Sequence, residues 1–187
     1  VLFCVDGYHY NGKSHDCLAK TAEIAGEIGA IGKVVVIPYV SDSPDISTVR
    51  DAVTFGDFIA PYKDGEDTYK RMPFDHPLYI LYSSGTTGAP KCIVHRAGGV
   101  LLQHLKEHVL HCDEKPGDRV FYFTTCGWMM WNWLVTALAC QATLLLYDGS
   151  PFYPSGNVLF DFAEQERMDI FGTSAKWIDA CAKAGLE

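Results

Sequence analysis

Paired cysteines are missing from this sequence. Cys4, Cys17, Cys92, Cys112, Cys126, Cys140 and Cys181 form an odd set with no CxxC spacing, which argues against a disulfide framework or a zinc knuckle. Most lie inside apolar runs and read as buried thiols kept reduced in the cytoplasm. Basic clustering is absent too. Fifteen Lys and Arg against 23 Asp and Glu leave a formal charge of −8, with no cationic stripe to neutralise a nucleic-acid backbone. The start, Val1-Leu2-Phe3-Cys4-Val5-Asp6, has neither the basic region nor the cleavage-like site of a signal peptide. It has no Met either, and the chain closes on Ala184-Gly185-Leu186-Glu187, so both ends are expected to be cut from something larger. Internal repeats and low-complexity segments are also lacking.

What is present suits a packed, soluble domain: 187 residues, 48% hydrophobic and 20% charged. From Val120 to Tyr147 no residue is charged, a length that could cross a bilayer. Gly127, Asn132, Thr136, Gln141 and Thr143 interrupt that run, and its ends are β-branched or aromatic stretches of strand length. A buried strand–helix–strand unit accounts for it, without membrane insertion.

Along the chain, "SHDCLAKTAEIAGEIG" sets Cys17, Thr21, Ile24 and Ile28 on one helical face, ending at Gly29 and Gly32. "KVVVIPYV" is a continuous apolar run, as expected of a strand buried on both faces. Residues 41–77 turn polar and proline-rich and read as a surface connection, with a short helix near "TVRDAVTFGDFIA". Strand patterns at 78–82, 91–95, 119–125, 143–147 and 169–173 then alternate with helical ones at 98–112, 129–140, 157–167 and 175–184. This predicts an α/β fold, parallel β-sheet layers covered by helices, divided into a first subdomain (1–40), a connection (41–77) and a second subdomain (78–187). In such sheets ligands bind beyond the carboxyl ends of strands.

One stretch at such a position carries chemistry. "LYSSGTTGAPK" follows the strand at 78–82 with Ser83, Ser84, Gly85, Thr86, Thr87 and Gly88 in succession. Glycines let the backbone approach a ligand, successive free N–H groups make a concave anion cradle, and the hydroxyls add donors. Lys91 adds a positive charge within reach of a polyphosphate. It is not the P-loop of the common NTPases, which needs four residues between its glycines and Lys-Ser/Thr directly after the second. Here two separate Gly85 from Gly88, and Lys91 is followed by Cys92.

The motif "YSSGTTGAPK" resembles the phosphate loop of the acyl-adenylate-forming enzymes, a superfamily of acyl-CoA synthetases, luciferases and peptide-synthetase adenylation domains. "FDHPLYILYSSGTTGAPKCIVH", "TTCGWMMWNW", "LYDGSP" and "DGYHYNGKSHDC" narrow the resemblance to the short-acid CoA synthetases, over essentially the whole chain. The resemblance implies part of a large N-terminal domain, with ATP, Mg and CoA as reaction partners and acetoacetate as the acid. Acetate or propionate are the alternatives, as is a non-catalytic nucleotide-binding module. It implies that Ser83, Ser84, Gly85, Thr86, Thr87, Gly88 and Lys91 hold the ATP phosphates, with Thr86 and Lys91 catalytic. Trp128, Met129 and Met130 would wall the acyl pocket, and Lys13 in "YNGK" would meet CoA. Ser174 would stand near the CoA tunnel. No Gly-Glu-Pro-like adenine segment, no Tyr-Gly-x-Thr-Glu for Mg, no later ribose Asp and no adenylation lysine occur here. The segment alone is therefore expected to be inactive.

His104, His108 and His111 recur at helical spacing beside an apolar stripe of Leu101, Leu105, Val109 and Cys112. Without an acidic ligand in register they read as a histidine border to that stripe, not a metal site. His95 reads as a hydrogen-bonded structural residue, and Asp148-Gly149 as a turn.

Overall fold

The computed structural model describes residues 1–62, 65, 68–83 and 88–186. The chain divides into two compact units, Val1–Thr68 with Gly149–Pro154, and Tyr69–Asp148 with Ser155–Glu187.

The first unit contains β1 (Leu2–Val5), β2 (Gly7–Tyr10), β3 (Lys13–Asp16), α1 (Leu18–Glu27), β4 (Val34–Ile37), β5 (Ala52–Thr54) and α2 (Phe55–Ile59). β4 lies between β1 and β5, parallel to both. Its Val34, Val35 and Val36 are fully buried, which is why this strand reads as an unbroken apolar run. β5 is a departure from the sequence reading: the polar stretch after residue 40 contributes the third strand of this sheet. Only three residues long and followed at once by α2, it is too short to show a period. Thr54 caps α2, its hydroxyl oxygen accepting from the Asp57 N–H at 3.2 Å.

Helix α1 also begins later than its periodicity suggests, because residues 13–16 form the second arm of a hairpin with β2. Asn11 and Gly12 turn that hairpin with φ of 51° and 75°, the left-handed pair that a two-residue turn requires. Asp16 then accepts from the Ala19 N–H at 3.1 Å. The helix buries Thr21 and Ala25, while Ile28 ends it exposed.

Between β1 and β2 sits Asp6, which the sequence reading passed over. Its carboxylate accepts four backbone N–H groups, from Gly7 (3.0 Å), Tyr39 (2.8 Å), Val40 (3.1 Å) and Ser41 (2.9 Å). Burial alone would push this carboxyl up, but those four donors outweigh it and hold it below the usual carboxylate range. The charged form therefore stabilises the fold. That contribution is fully present above the unfolded value of about 3.9 and is lost as pH falls through the lower folded value. Asp6→Asn keeps one acceptor oxygen but turns an N–H₂ toward the loop's donors, and should cost about 2 kcal/mol at pH 7. Urea unfolding at pH 7 and pH 3 checks both statements: the wild-type advantage should shrink at the lower pH.

The second unit contains β6 (Pro77–Ser83), β7 (Lys91–Arg96), α3 (Ala97–Leu105), β8 (Arg119–Tyr122), α4 (Met129–Thr136), β9 (Thr143–Leu145), α5 (Val158–Glu166), β10 (Ile170–Gly172) and α6 (Ala175–Lys183). β8 is the middle strand of a parallel sheet ordered β10-β8-β9. Its successive residues point to opposite faces, each with its own core. Val120 packs with Trp133, Leu134, Ala137 and Ala142, and Phe121 with Leu145, Leu159, Trp177 and Cys181. The uncharged run from 120 is thus strand, helix and strand. Among the described residues no helix is long and apolar enough to cross a membrane.

β6 and β7 depart from the expected arrangement. They form a separate two-stranded antiparallel ladder, not part of the parallel sheet. β6 is largely exposed, with Leu78 at 52% and Tyr82 at 68%, where the sequence suggests a buried strand. The glycine-rich stretch therefore joins the arms of a hairpin instead of leaving the carboxyl edge of a parallel strand. The cysteines also divide: Cys140 and Cys181 are buried, Cys92, Cys112 and Cys126 are exposed, and all seven are free thiols.

Candidate functional site

The mouth of the β6–β7 hairpin brings two of the expected phosphate residues together. Ser83 and Lys91 are paired in the ladder, and the Lys91 N–H donates to the Ser83 hydroxyl oxygen at 3.3 Å. Lys91 is exposed. Gly88 has φ of 108°, a backbone conformation that favours glycine, and among the described residues nothing beyond its chain neighbours lies within 4 Å of where a Cβ would stand. Ser84, Gly85, Thr86 and Thr87 lie outside the described residues.

β7 runs directly into α3, and α3 packs against α4, whose N-terminal end carries the tryptophan–methionine segment. That segment lies beyond the carboxyl end of β8, as the sequence suggests. Trp128 is the residue before α4 and is 70% exposed. Met129 is exposed and lines an open cavity of about 350 Å³ with Val94, His95, Gly99, Gln103 and His104. Met130 turns inward against the Val120–Trp133 core. The three residues are therefore not one wall: only Met129 faces this cavity. His95 meets the Tyr79 ring at a tilt, with ring centres 5.0 Å apart. Ser174 caps α6, accepting from the Trp177 N–H at 3.2 Å. Lys13, exposed on β3, belongs to the other unit.

The histidine helix is inverted relative to its sequence pattern. Val100, His104 and His108 are buried, while Leu101, Val109 and Cys112 of the apolar stripe are exposed. Val100 and His104 already set this buried face within α3, and His108 follows it in the π-helical turn Lys106–His111 that continues the helix. Hydrogen bonds make the burial tolerable. His108 stacks on the Trp133 ring at 4.1 Å, its Nε2 donates to the Trp133 carbonyl at 2.9 Å, and its Nδ1 meets Glu114 Oε2 at 2.7 Å. His104 Nδ1 lies 2.9 Å from the Thr136 hydroxyl, which itself donates to the Asn132 carbonyl at 2.9 Å. Two imidazoles one turn apart thus grip α4. No signal in the sequence gives these pairings, because the partners are 25 to 32 residues away. Among the described residues no group of three or more His, Cys, Asp or Glu could hold a metal ion.

Comparison with known proteins fits this geometry. The model of the AMP-binding enzyme family matches residues 4–187. The chain belongs to that family. A curated relative, acetoacetyl-coenzyme A synthetase of Rhizobium meliloti (strain 1021), is 60% identical over 187 residues, covering 99% of this chain and 28% of the relative. Malonamoyl-CoA synthetase vrtB of Penicillium aethiopicum is 49% identical over 164 residues, 82% of this chain and 22% of that protein. Among solved structures, acetoacetyl-CoA synthetase from Streptomyces lividans superposes with a TM-score of 0.88 at 46% identity, over 99% of this chain and 28% of that one. This AMP-binding enzyme chain therefore spans well under a third of the length of the relatives it matches. Its α/β fold with parallel strands is that of the matched part of an acyl-adenylate-forming enzyme.

Proposed function

We propose that this chain is part of an AMP-forming acid–thiol ligase that makes acetoacetyl-CoA from acetoacetate, ATP and CoA through an acyl-AMP intermediate. The observation that carries the reading is the 60% identity, across 99% of the chain, to a protein named for that product. The carboxylate oxygen attacks the α-phosphorus, the bond to the β-phosphate oxygen breaks, and pyrophosphate leaves with the electron pair. The thiol then displaces AMP. Ser83, Ser84, Gly85, Thr86, Thr87, Gly88 and Lys91 form the phosphate cradle, with Lys91 and the Thr86 hydroxyl opposing the charge that builds on the departing pyrophosphate. The pairing of Ser83 with Lys91 at the hairpin mouth supports the assignment.

Trp128 and Met129 border the acid, Met130 backs them from the core, and Lys13 meets a CoA phosphate. An acid outside these residues would hold the Mg that accompanies ATP. Residues 1–40 and 78–187 contribute to successive subdomains joined by 41–77, and the protein works in the cytoplasm on small molecules. Because the adenine, ribose and Mg residues are missing, the 187 residues alone complete neither half-reaction.

The similarity to a malonamoyl-CoA synthetase favours a second reading, in which another short acid with a carbonyl at the β-position is taken. Acid-dependent pyrophosphate–ATP exchange by the complete protein tests both. Among acetoacetate, malonamate, acetate and propionate, acetoacetate should give the fastest exchange. Fastest exchange with malonamate would select the second reading, and none with any acid would remove the ligase assignment.

A further inference from the structure

The cavity beside Met129 holds a base whose tautomer the fold fixes. Thr136 spends its one hydroxyl proton on the Asn132 carbonyl, so its oxygen can only accept from His104. The His104 proton therefore sits on Nδ1, leaving Nε2 with a bare lone pair. No hydrogen bond to Nε2 occurs among the described residues, and His104, only 5% exposed, is one of the residues lining the cavity of about 350 Å³. An imidazole lone pair with no partner among the described residues, on a residue that lines an open cavity, is available to take a proton from a ligand.

The ligase reading, on which this inference rests, supplies three reactants. The acid and its acyl phosphate anhydride present only oxygen acceptors at the reacting carbon, and ATP presents phosphate oxygens. Only CoA brings a donor to that carbon, its S–H. We propose that His104 is the catalytic base of the thioester-forming step, taking the thiol proton on Nε2 in the cavity it shares with Met129. As sulfur bonds to the acyl carbon, the bond from that carbon to the phosphate oxygen breaks and the electron pair leaves with AMP. The thiol proton moves to Nε2 and is later released to water.

The surroundings keep this imidazole neutral and ready to accept. Burial pushes it below the usual histidine range, Glu107 on the same helical run pulls the other way, and His108 and His95 add to the lowering. β7 also places Arg96 at the cavity, α4 contributes no charged group, and the 3₁₀ turn Ala137–Cys140 after it carries only the Cys140 thiol.

The two half-reactions of the complete protein separate this role from a structural one. Exchange of pyrophosphate with ATP reads adenylation, and release of thioester from preformed acyl-AMP plus CoA reads the second step. His104→Gln, which can fill the space but cannot carry the proton away, should slow thioester formation at pH 7 by about 100-fold. Exchange should stay within a few-fold of wild type. The deficit should shrink as pH rises past the thiol value of about 8.5, where thiolate needs no base. Unchanged thioester formation, an equal fall in both steps, or a deficit that ignores pH would each overturn the proposal. A wild-type protein without acid-dependent exchange would overturn the ligase reading beneath it, a result distinct from the other three.

Discussion

Replacing His108 by alanine is expected to destabilise the complete protein by about 3–5 kcal/mol, the cost of breaking a buried ionisable pair from one side. His108 and Glu114 have fully buried side chains, 2.7 Å apart, and the second Glu114 oxygen has no hydrogen-bond partner among the described residues. Without the imidazole, Glu114 faces an apolar cavity as an isolated acid, and the Trp133 carbonyl loses its side-chain donor. The ring stack on Trp133 goes too, adding a packing loss. Glu114→Gln should be milder, about 1–2 kcal/mol, since an amide can still bond to Nδ1. Urea unfolding compares the two variants through their midpoints. A loss under about 1 kcal/mol in His108→Ala would show that water reaches the pair and satisfies what remains.

Lys91→Ala should lower acid-dependent exchange by about 100- to 1,000-fold, the usual effect of removing one donor aimed at developing charge. Lys91 is exposed, and its ladder contacts are made by its backbone. Stability should therefore move by no more than about 0.5 kcal/mol. Lys91→Arg should recover part of the rate, because charge returns while a point ammonium is replaced by a broader planar fork. A fall confined to the Michaelis constant for ATP, with the maximal rate intact, would make Lys91 a ground-state binder. Unchanged exchange would remove it from the site altogether. His108 and Lys91 thus predict opposite signatures: a large stability loss for one, and a large rate loss on an intact fold for the other.

Local composition by itself determined much of this protein. The apolar runs at 34–36 and 120–121 became the buried middle strands of two parallel sheets, because a strand covered on both faces has no polar side to alternate with. The glycine and hydroxyl run after Ser83 marked the candidate anion loop, since few other residues allow so many free amides in succession. Its neighbouring motifs carried the family.

What only the tertiary structure decided depends on partners distant in sequence. Residues 77–83 look like another buried parallel strand, yet they pair antiparallel with 91–96 and leave much of their surface exposed. An apolar run records the capacity to form a strand, not which strand it will pair with. The histidines show the same limit. Their spacing suggested a polar border, but packing against α4 put His104 and His108 inside, where Thr136 and the Trp133 carbonyl meet them. Asp6 is one acid among many until four backbone N–H groups converge on it, three of them from residues 39–41. Burying a polar group is favourable only when its partners arrive, and those partners come from elements that only folding brings together.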